Sequence, residues 1–457
     1  MTRARTLWSP ATDANALMLA YTVGDDRSVD ARLLRYDIIG SLGHVAALAG
    51  GRVVTRAEAD RMRRALRAAL RAVDRGELVI REDHEDVHSA VEFWLTAHAR
   101  GVGEQIHVGR SRNDQVATDV RLCLRQEVLD LHAGMLALAG DLLAFGRLHR
   151  RVVWPGYTHQ RLAMPSSAGL WAAAHAEGLI DAAASIAGFW PRLDRSPLGS
   201  AAGYGVPLPL AREAAARALG FAGIDQVVTT TQNGRGMLEA QVLFWCATAA
   251  HDCAKLATDA ILFSATEFGW LTLPAEFATG SSIMPQKRNP DLFELTRGRA
   301  AALEGDLAAL MAIKGKLGSG YHRDFQLLKA PLWRGIDRMA EMLTMLRTVV
   351  PRLGVDATRA AAGLAAEVYA TDEAIRRVRA GATFRSAYHE VAAEVKQGKA
   401  MPAVAPAALL AHRRSTGAMG NIPFVALTTA IRREQRWNAA RRRHIDGAMR
   451  RLLTVRR

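Results

Sequence analysis

Cysteine is scarce in this 457-residue chain: there are three, Cys123, Cys246 and Cys253, with no Cys-x-x-Cys pair among them. An odd number of thiols inside apolar, helix-patterned runs excludes a disulfide scaffold and points to a reducing compartment. The 14 histidines never fall in a ligand spacing such as His-Glu-x-x-His, so neither a metal nor a cofactor is expected. No stretch resembles a signal peptide, and none reaches about 18 uninterrupted apolar residues, so no membrane partner is expected and the setting should be cytoplasmic. Aromatics make up 6% of the chain, and strand formers seldom alternate with polar residues, which argues against a sheet. Acidic residues are also in deficit, Asp+Glu 45 against Lys+Arg 60, a formal net charge of +15. Such an excess can steer an anionic substrate or bind nucleic acid. Much of it lies in arginines at helical spacing and in the run from Arg432 to Arg457, without an aromatic-interleaved stripe. A solvated basic face is the expectation, with no nucleic-acid partner.

What is abundant is alanine, leucine and arginine. Hydrophobic residues are 49% of a chain long enough for several units, which favours an all-α protein with a sizeable core. The spacing predicts a helix from Asp30 to Leu48, ended by Gly50-Gly51. Thr55 and Glu58 have capping-box spacing ahead of a second helix to about Val73. Glu85-Asp86 should open a third helix, containing His88, with the acids in its first turn. From Gln115 to Arg150 about 36 residues lack proline and keep an apolar helical period, a run of about 54 Å suited to a bundle. Further long helices are expected from Ser166 to Trp190, Gly236 to Gly269 and Asp291 to Lys314, with a flexible glycine-rich connection over 199–205. After Gly354 the pattern changes to shorter helices broken at Gly381, Gly398, Pro402 and Gly417–Gly420. The units expected are 1–105, 106–353 and 354–457.

Two stretches are dense in polar chemistry. Gly280-Ser281-Ser282-Ile283-Met284-Pro285-Gln286-Lys287-Arg288-Asn289-Pro290-Asp291 is a small-residue loop carrying hydroxyls, an ammonium and an amide. Its glycine permits unusual backbone angles, its prolines keep out regular helix, and its backbone N–H groups can cradle an anion. Taken alone it is also a plausible polar surface turn. The second stretch, His107-Val108-Gly109-Arg110-Ser111-Arg112-Asn113-Asp114, sits at the N-terminus of the longest helix, where free N–H groups and the dipole attract anions. Arg112 offers a guanidinium fork matched to a carboxylate, and Ser111 and Asn113 add neutral donors. A capped helix with a surface salt bridge is the plainer alternative.

The order Gly-Ser-Ser-x-Met-Pro-x-Lys-x-Asn-Pro resembles the signature of the fumarase/aspartase superfamily at each fixed position. Gly-Arg-Ser-Arg-Asn-Asp-Gln-Val-Ala-Thr-Asp resembles a hallmark of its argininosuccinate lyase branch, and the likeness runs collinearly through nearly the whole chain. It implies a three-domain, all-α fold whose long central helices form a twenty-helix bundle in a homotetramer, with each active site assembled from loops of three subunits. The substrate implied is a small dicarboxylate that loses fumarate. By the same resemblance Ser281 is the base, Lys287 and Asn289 stabilise charge, and His159 is polarised by Glu294. Ser111, Arg112, Asn113 and Thr158 would hold carboxylates, and His88 would lie near the substrate. Tyr321, Gln326 and Lys329 match kept positions of a Tyr-Asn-Lys-Asp-x-Gln-x-x-Lys pattern.

Departures from that pattern gather on one side. Thr-His-Leu-Gln becomes Thr158-His159-Gln160-Arg161, a serine that contacts substrate becomes Asp26, and the threonine before Gly-Arg-Ser becomes Val108. An acidic stretch ahead of the Gly236 helix becomes Val227–Gly236 and loses three aspartates. The fumaryl half is kept and the amine half is rewritten. The expectation is a fumarate-releasing C–N lyase acting on an N-substituted aspartate whose leaving amine is not arginine. A genuine argininosuccinate lyase and a non-catalytic structural relative are the alternatives.

Overall fold

The computed structural model describes residues 15–99 and 101–454, so the first fourteen residues of the expected N-terminal unit, Arg100 and the end of the basic C-terminal run lie outside it. Its centre is a set of long helices, Arg112–Leu148, Ala168–Ala184, Met237–Ser264, Asp291–Lys314 and Lys329–Val349. Alanines line the contacts: Ala168, Ala172, Ala176 and Ala183 on one helix, and Ala240, Ala247, Ala250 and Ala257 on another, are buried. Small side chains let neighbouring axes approach closely while leucines fill the grooves. At Gly335 a Cβ would stand 2.6 Å from a Leu243 methyl, so the Leu243 side chain packs directly on the backbone of the neighbouring helix there. The final helix, Phe424–Leu453, returns to pack Leu427, Ile431 and Ile445 into the same core.

The Arg112–Leu148 helix is by length and composition apolar enough to cross a membrane, but most of its apolar side chains are buried between the other helices. Around the bundle sit smaller apolar groups, two of which lie mainly in the first and last thirds of the chain. One joins Leu34–Gly50, Arg56–Asp74 and Val87–His98; the other gathers Val368, Tyr369, Val391 and Leu409.

The capping box Thr55–Glu58 forms in both directions. Elsewhere the structure differs from the pattern for local reasons. The expected helix from Asp30 is broken: a short turn, Asp26–Asp30, and a tighter turn, Ala31–Leu33, precede the helix Leu34–Gly50. Glu85 and Asp86 lie before the third helix rather than in its first turn, and Asp86 caps it by accepting from Ser89 N at 2.8 Å. The helix expected from Ser166 starts at Ala168, because Val153–Thr158 and Arg161–Ser167 pair as an antiparallel hairpin. The glycine-rich 199–205 connection is not loose at its start: Gly199, Ser200 and Ala201 are buried and pinned.

Scarce aromatics are concentrated where they position something. Trp154 on the hairpin packs on Trp270, Phe263 and Trp171 at ring separations of 5.2–5.8 Å, and Tyr157 meets Phe268 edge-on. These contacts fix the hairpin to the bundle and so aim its turn.

Candidate functional site

Within one chain the candidate residues fall into three groups. The first lies at the N-terminus of the longest helix. Ser111 caps that helix, its Oγ accepting from Asn113 N, while Asp114 closes a capping box on Ser111 N at 3.1 Å. The other oxygen of Asp114 accepts from Gly199 N and Ala201 N, both at 2.9 Å. Burial pushes the Asp114 carboxyl up to about 6, although the N–H donors and Arg110 oppose the rise. Arg112 spends Nη1 on Glu85 (2.9 Å) and Asp86 (3.0 Å), leaving a buried Nη2 unpartnered. Ser111, Arg112 and Asn113 are half-buried.

Glu85 also pairs with Arg323, which joins this region to a buried cluster on the 3-10 turn Arg323–Leu328 and the helix after it. There Lys329 lies between Asp26, at 2.9 Å, and Asp30, and Gln326 donates to Asp26. All three charged side chains are under 8% exposed. Burial raises the Asp26 carboxyl above its ordinary value despite Lys329, while Lys329 is raised because its two carboxylates outweigh the burial that would lower it. Tyr321 stands next to this group, its ring edge-on to Phe325 at 5.7 Å and its hydroxyl pushed up by burial.

His88 is buried and not on an open surface: its Nδ1 lies 3.0 Å from Asp37, with Asp119 at 3.9 Å. These three are the group among the described residues whose ligand atoms converge closely enough to hold a metal ion. Burial and the adjacent Asp37 charge push Asp119 well above the usual carboxylate range, which favours its neutral form. Burial alone would lower His88, but Asp37 raises it, and His88 in turn holds Asp37 down.

The second group is the hairpin turn. Thr158 pairs with Arg161, leaving His159 (φ +54°) and Gln160 (φ +58°) as the two turn residues. Left-handed angles at both positions suit a type I′ turn, which normally takes Asn and Gly. Strain held by non-glycine residues at an exposed tip is the sort of backbone that functional sites keep. Thr158, His159, Gln160 and Arg161 are all exposed.

The third group is the Gly280–Asn289 loop. A two-way bridge between Thr279 and Asn289, with N···O distances of 3.1 and 2.9 Å, clamps its neck. Inside, Ser281 Oγ accepts from Ile283 N (3.3 Å) and Met284 N (3.1 Å). Two backbone donors on a serine oxygen favour its deprotonated form. Asn289 Nδ2 lies 3.4 Å from Gly280 O, and Lys287 is exposed with no ion pair among the described residues. Ile283 at the crown is 83% exposed. His159 and Glu294, both exposed, make no hydrogen bond to each other within one chain. The structure thus joins Ser111, Arg112, Asp26, Gln326 and Lys329 in one region, and leaves His159, Glu294 and the Ser281 loop facing outward.

Sequence reasoning gave no site role to several residues of this geometry: Asp30, Asp37, Glu85, Asp114 and Asp119. Asp30 carried a usable signal, since it stands one helical turn from Asp26 and so can share a partner.

This fold and these loops define a class. The model of the family described as "Lyase" matches residues 12–305, and the chain belongs to that family. Its branch is that of the argininosuccinate lyases, within the fumarase/aspartase superfamily, and it is a carbon–nitrogen lyase that releases fumarate. It is 42% identical over 430 residues to the argininosuccinate lyase of Sorangium cellulosum, covering 94% of this chain and 99% of that one. Against the argininosuccinate lyase of Parabacteroides distasonis it is 36% identical over 450 residues, 97% and 100% of the two chains. In fold it is similar to an EDDS lyase variant with bound fumarate (TM-score 0.80, 22% identity, 96% and 95% covered). The class II fumarase of Schistosoma mansoni shares the architecture at a TM-score of 0.70 and 17% identity, over 84% of this chain and 89% of that one.

Proposed function

We propose that the substrate is an N-substituted L-aspartate whose leaving amine is not arginine. The observation that carries this is Asp26, buried against Lys329 with Gln326 donating to it. An amino acid such as arginine brings a carboxylate of its own to the amine side of the site. Here the ammonium and the amide that the family resemblance puts against substrate are already taken by the protein's carboxylate. Asp26, Asp30 and Lys329 together carry one net negative charge, which disfavours a second anion there.

The fumaryl half follows ordinary carbanion chemistry. Ser281 Oγ removes a Cβ proton, and the electron pair moves into the neighbouring carboxylate as an aci-carboxylate. Lys287, Asn289 and the loop N–H groups lie where that charge develops, and such donors act more strongly on the intermediate than on the substrate. Collapse to fumarate breaks the Cα–N bond, and the nitrogen takes a proton, with His159 polarised by Glu294 as the group that handles it. Arg112, Asn113 and Thr158 hold the carboxylates in register. In this reading the protein is a homotetramer. Association brings the outward-facing His159 turn and Ser281 loop of some subunits to the Arg112–Lys329 region of another, and covers the exposed Phe244, Leu295 and Met311 on the bundle.

Argininosuccinate as substrate is the second reading, favoured by the argininosuccinate lyases that this chain resembles. The test is ultraviolet detection of fumarate from argininosuccinate and from a panel of N-substituted aspartates, beside a Ser281→Ala control. Turnover of argininosuccinate at about 1 s⁻¹ or faster, lost in the control, would overturn the proposed leaving group.

A further inference from the structure

Next to the amine-side cluster is a cavity of about 330 Å³ that none of the roles above uses. Its walls include Gln232, Arg235, Lys314, Ser319 and Phe325. Phe325 belongs to the same turn as Gln326 and touches Tyr321, so the cavity and the cluster share a wall.

Its polar groups lack partners. Gln232 is fully buried, yet neither its Oε1 nor its Nε2 has a hydrogen-bond partner. Arg235 is 5% exposed; its Nε reaches Glu239 at 3.3 Å, its guanidinium lies over the Phe325 ring, and its Nη1 is unpartnered. His322 Nε2, also unpartnered, lies 3.9 Å from where a side chain on Gly318, another wall residue, would begin. Lys314 at the rim is half-buried and forms no ion pair among the described residues. Buried donors left unmade cost stability, and a cavity of this size lined by several of them is built for a polar occupant.

We infer that this cavity binds a small carboxylate bearing a nearby N–H or O–H donor. The carboxylate pairs with the Lys314 ammonium, and Arg235 Nη1 and the Gln232 amide, buried behind the wall, must turn toward the cavity to complete the site. Arg235 and Glu239 nearly cancel in charge, so Lys314 supplies the net attraction. Two sources offer this chemistry: a carboxylate on the tail of the leaving amine, kept away from Lys329 by Asp26, or a free acid that acts on the enzyme from outside. The first rests on the function proposed above.

The experiment compares kcat/KM for pairs of N-substituted aspartates matched except for a terminal carboxylate on the amine, with and without added 4-aminobutyrate. It uses wild type, Arg235→Gln and Lys314→Gln; the rim substitution keeps the comparison readable if the buried one does not fold. If the tail is the ligand, wild type prefers the carboxylated member by about ten- to a hundred-fold, and the variants lose most of that preference. If a free acid is the ligand, the pairs react alike, and 4-aminobutyrate changes the rate saturably in wild type but not in the variants. Fumarate release with neither preference nor response overturns the inference. So does a preference or response that the variants leave unchanged. If no panel member yields fumarate, the function above fails instead, and calorimetric titration of 4-aminobutyrate into wild type and Lys314→Gln decides the cavity alone: equal or absent binding refutes it.

Discussion

Replacing Asp26 by serine should turn the amine side of the site toward arginine. Asp26 lies 2.9 Å from Lys329 and takes the Gln326 amide, while Asp30 stays on Lys329 in the variant. The substitution removes one of two carboxylates from a buried ammonium and frees the amide, so an incoming carboxylate finds a charge-assisted donor and a neutral one. One such bond to a charged group contributes about 1.5–3 kcal/mol, or roughly 10- to 150-fold in kcat/KM. The cost to the fold should be small. Burial raises the Asp26 carboxyl above its ordinary value of 3.8, so its ionised form is disfavoured by folding at neutral pH, and Lys329 keeps a partner without it. The assay is fumarate release from argininosuccinate by wild type and Asp26→Ser, with Asp26→Asn to separate charge from shape and a urea melt to confirm the fold. A gain of at least tenfold for the serine variant, with a smaller one for asparagine, is expected. No gain in a folded variant would show that Lys329 and Gln326 do not meet the leaving group.

Ser281→Ala should lower kcat by at least about a thousandfold with little change in KM, measured on whichever panel member reacts. At the Asp37–His88–Asp119 group, Asp119→Asn should cost under about 1 kcal/mol because burial beside Asp37 favours the neutral form of that carboxyl. Asp37→Asn should cost about 3 kcal/mol by leaving the His88 charge unpaired, and equal costs in denaturant unfolding would refute the assignment. Asp114, raised from 3.8 to about 6, binds its proton more tightly folded than unfolded. Its contribution is therefore full below 3.8 and is lost as pH rises through 6, so wild-type stability relative to Asp114→Asn should fall by about 3 kcal/mol across that window. A flat difference would contradict this. Gln160→Gly relieves a left-handed angle at the hairpin tip and should raise stability by about 1 kcal/mol in thermal unfolding; a loss would mean that the glutamine side chain anchors the turn.

The helical architecture was legible because apolar period, capping boxes and proline placement are local properties, and Thr55–Glu58 formed as its spacing indicated. The Ser281 loop was legible because its residues are consecutive. What escaped was whatever depends on two distant segments meeting. Nothing near residue 114 announces Gly199, and so 199–205 read as loose although two of its N–H groups are fixed by a carboxylate 85 and 87 residues away. Asp37 was invisible as the partner of His88 for the same reason. The positive balance misled in part too: Arg121, Arg125 and Arg235 are buried, paired with Asp225, Asp194 and Glu239, and belong to the interior rather than to a solvated face.

The anchoring of the Arg112–Leu148 helix at Asp114 makes it an unequal lever. Arg112 stands about 3 Å along the axis from that pivot and Leu148 about 51 Å, by the rise of an α-helix. A tilt that sweeps the distant end through 1 Å therefore moves the backbone of Arg112 by only about 0.06 Å. Motion where the C-terminal helix meets the far end can be absorbed without disturbing the Arg112 end, whereas slack of the same size at the pivot passes undiminished to Arg112.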